Sequence, residues 1–404
     1  MATTYKIMLM KTIKSFQYCL KTNQTNKRQL EEILFGCNFL YNKLLKDKIK
    51  KDEEKTKQLT LSEQSQFTTQ LRKENSCLQI INRQILNEVI MRVNKTWTNH
   101  LKFKKLGLAK GYPKIKQVNR YNSFVGTNNQ NWKLESDKLV LSQSWIKGKG
   151  GSEKLTIKVF WSRPIEGDIQ TLIIVRKNGR WYANFISEVE IKSRVPTNKY
   201  IGMDLNLKKD AFCVLSDGTK FNHPLTHKKN EKKLIKLQQS LSKKQKGSKN
   251  RKKAKFLYSK QWEKVKNQQR DTFFKMAQEF EKYDGIAQEN LKITNMIKNR
   301  SLSKAIFRAS WANFTSILAR RVEDTGGQVV KVNPYNTTQK CSNCKEITKE
   351  KLTLKNRVFY CWNCDFEIDR DINSARNILD KAIENNGFGQ NLWRDSNGIA
   401  TQIE

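Results

Sequence analysis

The 404-residue sequence is short of acid, nearly without histidine and free of long apolar runs. It has 38 Asp and Glu against 78 Lys and Arg, and three histidines, His100, His223 and His227. No apolar stretch approaches the ~18 residues that a membrane-spanning helix needs, so no membrane partner is expected. The run Ile7 to Met10 is also too short for the apolar part of a secretory signal. The chain is therefore expected in the cytoplasm, associated with the nucleoid in a prokaryote, with its eight cysteines reduced. Three scattered histidines form neither an HNH-type nor an HExxH pattern, and the chain has no Gly-x-Ser-x-Gly elbow and no phosphate-cradling P-loop. There is no internal repeat.

What the acid deficit leaves is a formal net charge of +40. Such a surplus repels itself unless a polyanion compensates it, and nucleic acid is the obvious one, since phosphate neutralisation releases counterions. A basic surface kept for solubility, or a membrane-surface protein, is the competing reading, but the surplus exceeds what solubility asks. The charge is concentrated: residues 228–270 hold 17 Lys or Arg and 2 Asp or Glu, with SKKQKGSKNRKKAK at the centre. This stretch reads as a phosphate-tracking helical hairpin. A solvated helix pair or a nuclear localisation signal is the blander alternative.

The length implies two to four domains. Residues 14–20 alternate as a strand. Leu30, Ile33, Leu34, Cys37, Tyr41, Leu44 and Leu45 recur at three and four over 26–48, and helical sequence continues to about 105. Runs such as LVLSQSW, KLTIKVFW and TLIIVRK within 106–195 are β-branched and aromatic, and predict an antiparallel β domain, a small barrel. From 198 the strands Tyr200 to Leu207 and Ala211 to Leu215, a Ser-Asp-Gly turn at 216–218 and Thr219 to Asn222 form a meander. Helices are predicted over 229–246, 252–282 and 303–324, with strands ending at Glu289 and Asn333, which makes this part α/β. Cys19, Cys37, Cys77 and Cys213 are expected to be small core residues.

The other cysteines are clustered. Cys341, Cys344, Cys361 and Cys364 follow C-x2-C-x16-C-x2-C, two knuckles that offer four soft ligands to a tetrahedral Zn²⁺. Disulfides or a redox pair are the rivals, disfavoured in a reducing compartment. With all four positions filled by thiolates no site remains for a catalytic water, so this zinc would be structural.

Three acids stand out by position. Asp204 lies in the apolar strand IGMDL, Glu289 ends GIAQE, and Asp371 lies in DRDINSARN at a helix start. A carboxylate in an apolar strand is costly unless it is paired or binds a cation. Taken singly, Asp204 and Glu289 could be exposed strand-end acids, and Asp369 or Asp371 an ordinary helix cap. Together, three carboxylates on a mixed sheet and a flanking helix suit two Mg²⁺ ions in phosphodiester hydrolysis.

These segments are recognisable. GMDLNLKKDAFCVLSDGTK, IAQENLKITNM, NPYNTTQKCSNC and FYCWNCDFEIDRDINSARNI resemble the RuvC motifs and zinc ribbon of TnpB proteins of IS200/IS605-type transposons and of compact type V CRISPR (Cas12-like) effectors. GYPKIKQVNRYNSF and TNQTNKRQLEEILFGCNFLYN match weaker N-terminal patterns, and coverage runs from about 14 to 384. The resemblance implies an α+β multidomain chain. Residues 1–24 and 119–196 would form a β-barrel wedge domain and 25–118 a helical recognition lobe. Residues 197–333 would be an RNase H-like (RuvC) α/β nuclease domain, 334–367 an inserted zinc ribbon that binds target nucleic acid, and 368–404 the third motif and tail. It also implies a guide RNA from a transposon end or a CRISPR array, and a target double-stranded DNA recognised beside a short motif. With no HNH pattern, one Mg²⁺-dependent site built on Asp204, Glu289 and Asp371 would cut both strands, and Asp369 would cap the helix. The sequence departs from the family at Asn206, Lys345 and Asp365, where Gly is usual, and at Ser374, where Ala is. Asn206 could slow access of metal or substrate. An RNA-guided repressor without cleavage, or a transposon-associated DNA-binding factor acting without RNA, remains as the alternative reading. Tyr41 and the basic run 243–255 are candidate nucleic-acid contacts.

Overall fold

The computed structural model describes residues 9–108, 111–127, 131–145, 152–192, 195–350, 352, 356–389, 392–395 and 397–402. Residues 1–8 of the expected wedge segment thus lie outside the described residues. The chain divides into two compact units, one of residues 11–190 and one built mainly from 191–404.

In the first unit, strand β1 (Leu9–Lys21) leads into helix α1 (Gln24–Glu53), α2 (Leu61–Glu74), the single turn α3 (Ser76–Gln79) and α4 (Arg83–Lys105). Asn23 caps α1 by accepting from the Asn26 N–H, and Thr60 and Glu63 form a capping box on α2. The apolar face read from the sequence, Leu30 through Leu45, is buried, facing Ile85, Leu86, Val89, Ile90 and Val93 of α4. Tyr41 belongs to that face. It is 1% exposed with the Lys116 ammonium 4.2 Å from its ring centroid, so it is a core residue and not a nucleic-acid contact.

Strands β2 (Ser123–Thr127), β3 (Trp132–Glu135), β4 (Lys138–Trp145), β5 (Ser152–Phe160), β6 (Asp168–Lys177) and β7 (Arg180–Lys192) join β1 in one sheet, in the order β2-β6-β7-β1-β5-β4-β3. Strands β7 and β3 are four positions apart, about 19 Å in a flat sheet. Yet Trp132 on β3 meets Phe185 on β7 with ring centroids 5.8 Å apart, so the sheet curls around these buried rings. It is a half-barrel, not the closed barrel expected, because among the described residues its end strands do not pair. The open edge is covered instead: α4 packs on β2, and Arg92 donates to the Ser123 carbonyl at 2.8 Å.

In the second unit β8 (Tyr200–Leu205), β9 (Cys213–Leu215) and β10 (Lys220–Phe221) form the meander. Its Ser-Asp-Gly turn closes with Gly218 at φ +92°, a conformation glycine adopts without strain. The basic segment is a hairpin of α5 (Thr226–Ser242) and α6 (Lys249–Gln278), followed by β11 (Gly285–Glu289) and the single turn α7 (Ile293–Met296). The helix predicted over 303–324 is two, α8 (Arg300–Ala309) and α9 (Trp311–Asp324). Ser310 between them is left-handed (φ +53°), and the Gln269 amide donates to the Arg308 carbonyl at 2.8 Å, satisfying an acceptor that the break frees. Strand β12 (Gln328–Val332) follows, then the ribbon strands β13 (Val358–Tyr360) and β14 (Glu367–Asp369), helix α10 (Arg370–Glu384), β15 (Leu392–Arg394) and β16 (Ile399–Gln402).

The main sheet runs β10-β9-β8-β11-β12, antiparallel through the meander and parallel across β8, β11 and β12. β16 returns to pair with β8 at Ile201. Alternation sends Ile201, Met203 and Ile286 into a core with Phe273, Phe280, Phe314 and Leu318 of the α6 and α9 region. Ala287 faces the other way, onto Ile378, Leu379 and Ala382 of α10. That close approach needs Gly202, where an added Cβ would lie 2.0 Å from the Ala375 carbonyl oxygen. Replacing Gly202 by Ala is expected to destabilise this unit by about 3 kcal/mol, the upper range for overpacking, measured as a shift of the urea midpoint.

Candidate functional site

Gly202 and Asp204 share the α10 face of β8, as Ala287 and Glu289 share that face of β11. Gln288 pairs with Met203, so Glu289 comes level with Asp204 at the ends of adjacent parallel strands. Asp371 lies in the first turn of α10, whose N-cap is Asp369, accepting from the Asp371 N–H at 2.8 Å. Asp204 is 8% and Asp371 2% exposed, which excludes the reading of exposed strand-end or cap acids for these two.

The acids feel one another. Burial pushes Asp204 well above the ordinary carboxylate range, and the charges of Glu289 and Asp371 raise it further, while a hydrogen bond from Asn206 at 3.1 Å opposes the rise. Glu289 is also raised by burial, and the Thr337 hydroxyl, donating at 2.5 Å, opposes that. Asp371 is ion-paired to Lys208 and to Arg370 at 3.3 Å. Asn206, one of the departures from the family pattern, thus supplies the hydrogen bond that Asp204 accepts. Thr337 and Lys208 carry no periodic signal and were not singled out by sequence; only folding brings them to Glu289 and Asp371. Ser374, the other departure in this region, is fully buried, with its hydroxyl lacking a partner.

The four cysteine thiols lie within 4.8 Å of one another, the one such group of His, Cys, Asp or Glu among the described residues. Their knuckles turn through Lys345 (φ +67°) and Asp365 (φ +52°), the two positions where Gly is usual. Lys345 is held there by Asp380 and by the Ser342 carbonyl, and Asp365 accepts from the Tyr360 hydroxyl. Asn343 donates to the Cys364 thiol and Asn363 to the Cys344 thiol, each at 3.7 Å. A backbone N–H from Glu346 lowers Cys344 to about 6, whereas burial raises Cys341. All eight cysteines are free; of the scattered four, Cys37 and Cys213 are buried as expected, and Cys19 and Cys77 are only partly so.

The ribbon is stapled to α10. Asn373 accepts from the Ser342 N–H and donates to the Lys340 carbonyl, both at 2.8 Å, and Asn377 donates to the carbonyls of Thr337 and Lys340. In the basic hairpin Arg251 donates to the carbonyls of Leu241 and Lys244 and fixes the turn, while the lysines of 243–255 are exposed. No helix among the described residues is long and apolar enough to cross a membrane.

Two units, one a curled antiparallel half-barrel with helices and the other a mixed sheet bearing buried acids and a four-cysteine ribbon, define the fold class of the compact Cas12f effectors. The chain covers 88% of its length on a Cas12f1–sgRNA–target DNA complex, itself covered to 83%, at a TM-score of 0.62 and 14% identity. It covers 94% on the mini RNA-guided endonuclease CRISPR-Cas_phi3, itself covered to 93%, at 0.54 and 10%. A family model described as "Probable transposase", of the OrfB type of IS605, matches residues 184–300, and the "Cas12f1-like, TNB domain" matches 311–378. "Putative RNA-guided DNA endonuclease InsQ" of Escherichia coli (strain K12) is 25% identical over 390 residues, 92% of each chain. A "Putative RNA-guided DNA endonuclease" of Streptomyces pristinaespiralis is 24% identical over 393 residues, 95% of this chain and 93% of the relative. The chain is thus similar to proteins of the TnpB/OrfB type in sequence and to compact Cas12f effectors in fold.

The raised carboxylates set a pH dependence. A carboxyl group whose folded pKa lies above its unfolded one stabilises the fold below the unfolded pKa, and that stabilisation is lost as pH rises through the folded pKa. In metal-free buffer Asp204→Asn is therefore expected to melt above wild type at pH 8, with the gap closing towards pH 4, as followed by circular dichroism.

Proposed function

We propose that this protein is an RNA-guided double-stranded DNA endonuclease with a single RuvC site. The observation that carries the reading is the convergence of buried Asp204 and Asp371 and half-buried Glu289 from three separate segments, with Asp204 raised by the charges of the other two. The names of relatives that align over at least 92% of the chain support it. On this reading residues 197–333 and 368–404 form an RNase H-like nuclease domain, with 334–367 an inserted ribbon for target nucleic acid. Residues 1–24 and 119–196 are the wedge, and 25–118 the recognition lobe. The exposed lysines and the net charge of +40 would meet the phosphates of a guide RNA and its heteroduplex with target DNA.

The donor set fits Mg²⁺: hard carboxylate oxygens, two of them raised by burial and in need of positive charge. Asp204, Glu289 and Asp371 would hold the ions, which when bound supply water activation and stabilisation of the leaving oxygen. Asn206 and Thr337 orient the first two acids by donating to them, leaving the other oxygen of each for a cation. Lys208 and Arg370 neutralise Asp371 and would yield to metal or approach the phosphate. The four cysteines suit a structural Zn²⁺, since the set is all thiol and lends no open position.

The protein, purified from cells that also carry its native flanking DNA, is expected to bring down a discrete RNA and, with Mg²⁺, to linearise a plasmid matched to that RNA. Asp204→Ala should keep the RNA and lose cleavage by at least ~10³-fold. Binding without a cut by wild type would point to a repressor, and absence of RNA would overturn both readings. Elemental analysis should find about one zinc per chain, and Cys361→Ser should lose it and lower the melting temperature by several degrees.

A further inference from the structure

A cavity of about 670 Å³ opens between α9 and the ends of β11 and β12, with Glu289 on its wall. It adjoins the carboxylate site at Glu289 and reaches round the end of β11 to Gln288, which alternation places on the α9 face of that strand. Its position outside the carboxyl ends of parallel strands is where open mixed sheets receive ligands.

Gln288 is the telling residue. It lines this cavity, is 2% exposed, and its amide oxygen has no hydrogen-bond partner. A buried amide oxygen without a partner is costly, and core positions of a parallel strand are ordinarily apolar. Leu205, Ile293 and Val329 give the cavity apolar surface, and Asn290, Thr315 and Ser316 give it polar surface. The charged groups at the cavity balance, Glu289 and Glu323 against Arg320 and Lys331, and Arg320 is already paired with Asp324. Such a pocket does not select an anion. It suits a flat, neutral group with apolar faces and a hydrogen-bonding edge, and the volume lies in the range of small-ligand sites.

We propose that this cavity receives one nucleobase of the DNA strand being cut, with the Gln288 amide reading its edge; the proposal rests on the nuclease reading above. A glutamine amide presents a donor beside an acceptor, the pair that reads the adenine N6/N7 edge. The base enters on the α9 side while the backbone of the same strand passes the carboxylates on the α10 side, and Lys331 lies at the cavity for a neighbouring phosphate. The pocket thereby sets the register of the strand at the cut and favours adenine at one position.

The test measures binding by fluorescence anisotropy, with RNA-loaded full-length protein in Ca²⁺ and fluorescein-labelled single-stranded 12-mers, either all-adenine or abasic at the central four positions. Wild type is expected to prefer the adenine probe. Gln288→Leu should weaken that probe roughly five- to tenfold while the abasic probe is bound as before, the loss a bidentate base contact carries. Ala319→Phe, which fills the cavity from α9, should do the same. A melting temperature for Gln288→Leu at or above wild type excludes misfolding as the cause, since the change removes an amide oxygen that has no partner. If both variants bind the two probes as wild type does, the cavity takes no base and the proposal falls, whatever the cleavage assay gives. If guided cleavage is absent in wild type but the adenine preference and its loss persist, the pocket stands and the nuclease reading fails.

Discussion

The second unit depends on one contact, the seating of α10 on the bare backbone of Gly202. An added Cβ would sit 2.0 Å from the Ala375 oxygen, so only glycine lets the helix come this close. The approach brings the first turn of α10 over the end of β8, and with it Asp371 into the field of Asp204. The same helix carries Asn373 and Asn377, which hold the ribbon backbone at Ser342, Lys340 and Thr337. Thr337 in turn donates to Glu289. Cysteine cluster, ribbon and acids are thus positioned by a single helix on a single strand.

The gathering of the acids costs the fold stability. Three carboxylates gathered under a helix repel one another, and burial strengthens the repulsion. Polar neighbours offset part of this: Asn206 for Asp204, Thr337 for Glu289, Lys208 and Arg370 for Asp371. What remains at Asp204 is a buried carboxyl held above its ordinary range by its surroundings. The departures from the family pattern fall into place on the same grounds. Asn206 hydrogen-bonds the acid beside it, and Lys345 and Asp365 adopt left-handed turns with tethers that make up for the missing glycine. Nothing in the structure explains Ser374, whose buried hydroxyl has no partner.

Sequence reading and structure parted in three places, each for a tertiary reason. Tyr41 is as polar as a base-stacking residue, yet it falls on the apolar stripe of α1, and its ring is buried under Lys116. The helix over 303–324 has unbroken apolar periodicity, but Gln269, some forty residues away in the chain, supports a left-handed break at Ser310. The β domain has strand signals throughout, yet whether its ends meet depends on what covers the edges, and α4 covers β2.

The sequence alone determined the metal-ligand spacing of the cysteines, the apolar stripes and strands, the acid at each strand end or helix start, and the charge that calls for a polyanion. These are local patterns, carried by periods of two, three and four and by the reach of a knuckle. Tertiary structure alone decided which hydroxyl or ammonium meets Glu289 and Asp371, and that the buried amide oxygen of Gln288, a residue lining a cavity, has no partner. Those pairings join residues many tens of positions apart, from 48 for Thr337 with Glu289 to 163 for Lys208 with Asp371. No local period encodes a contact of that separation, because it exists only once α10 has packed onto the sheet.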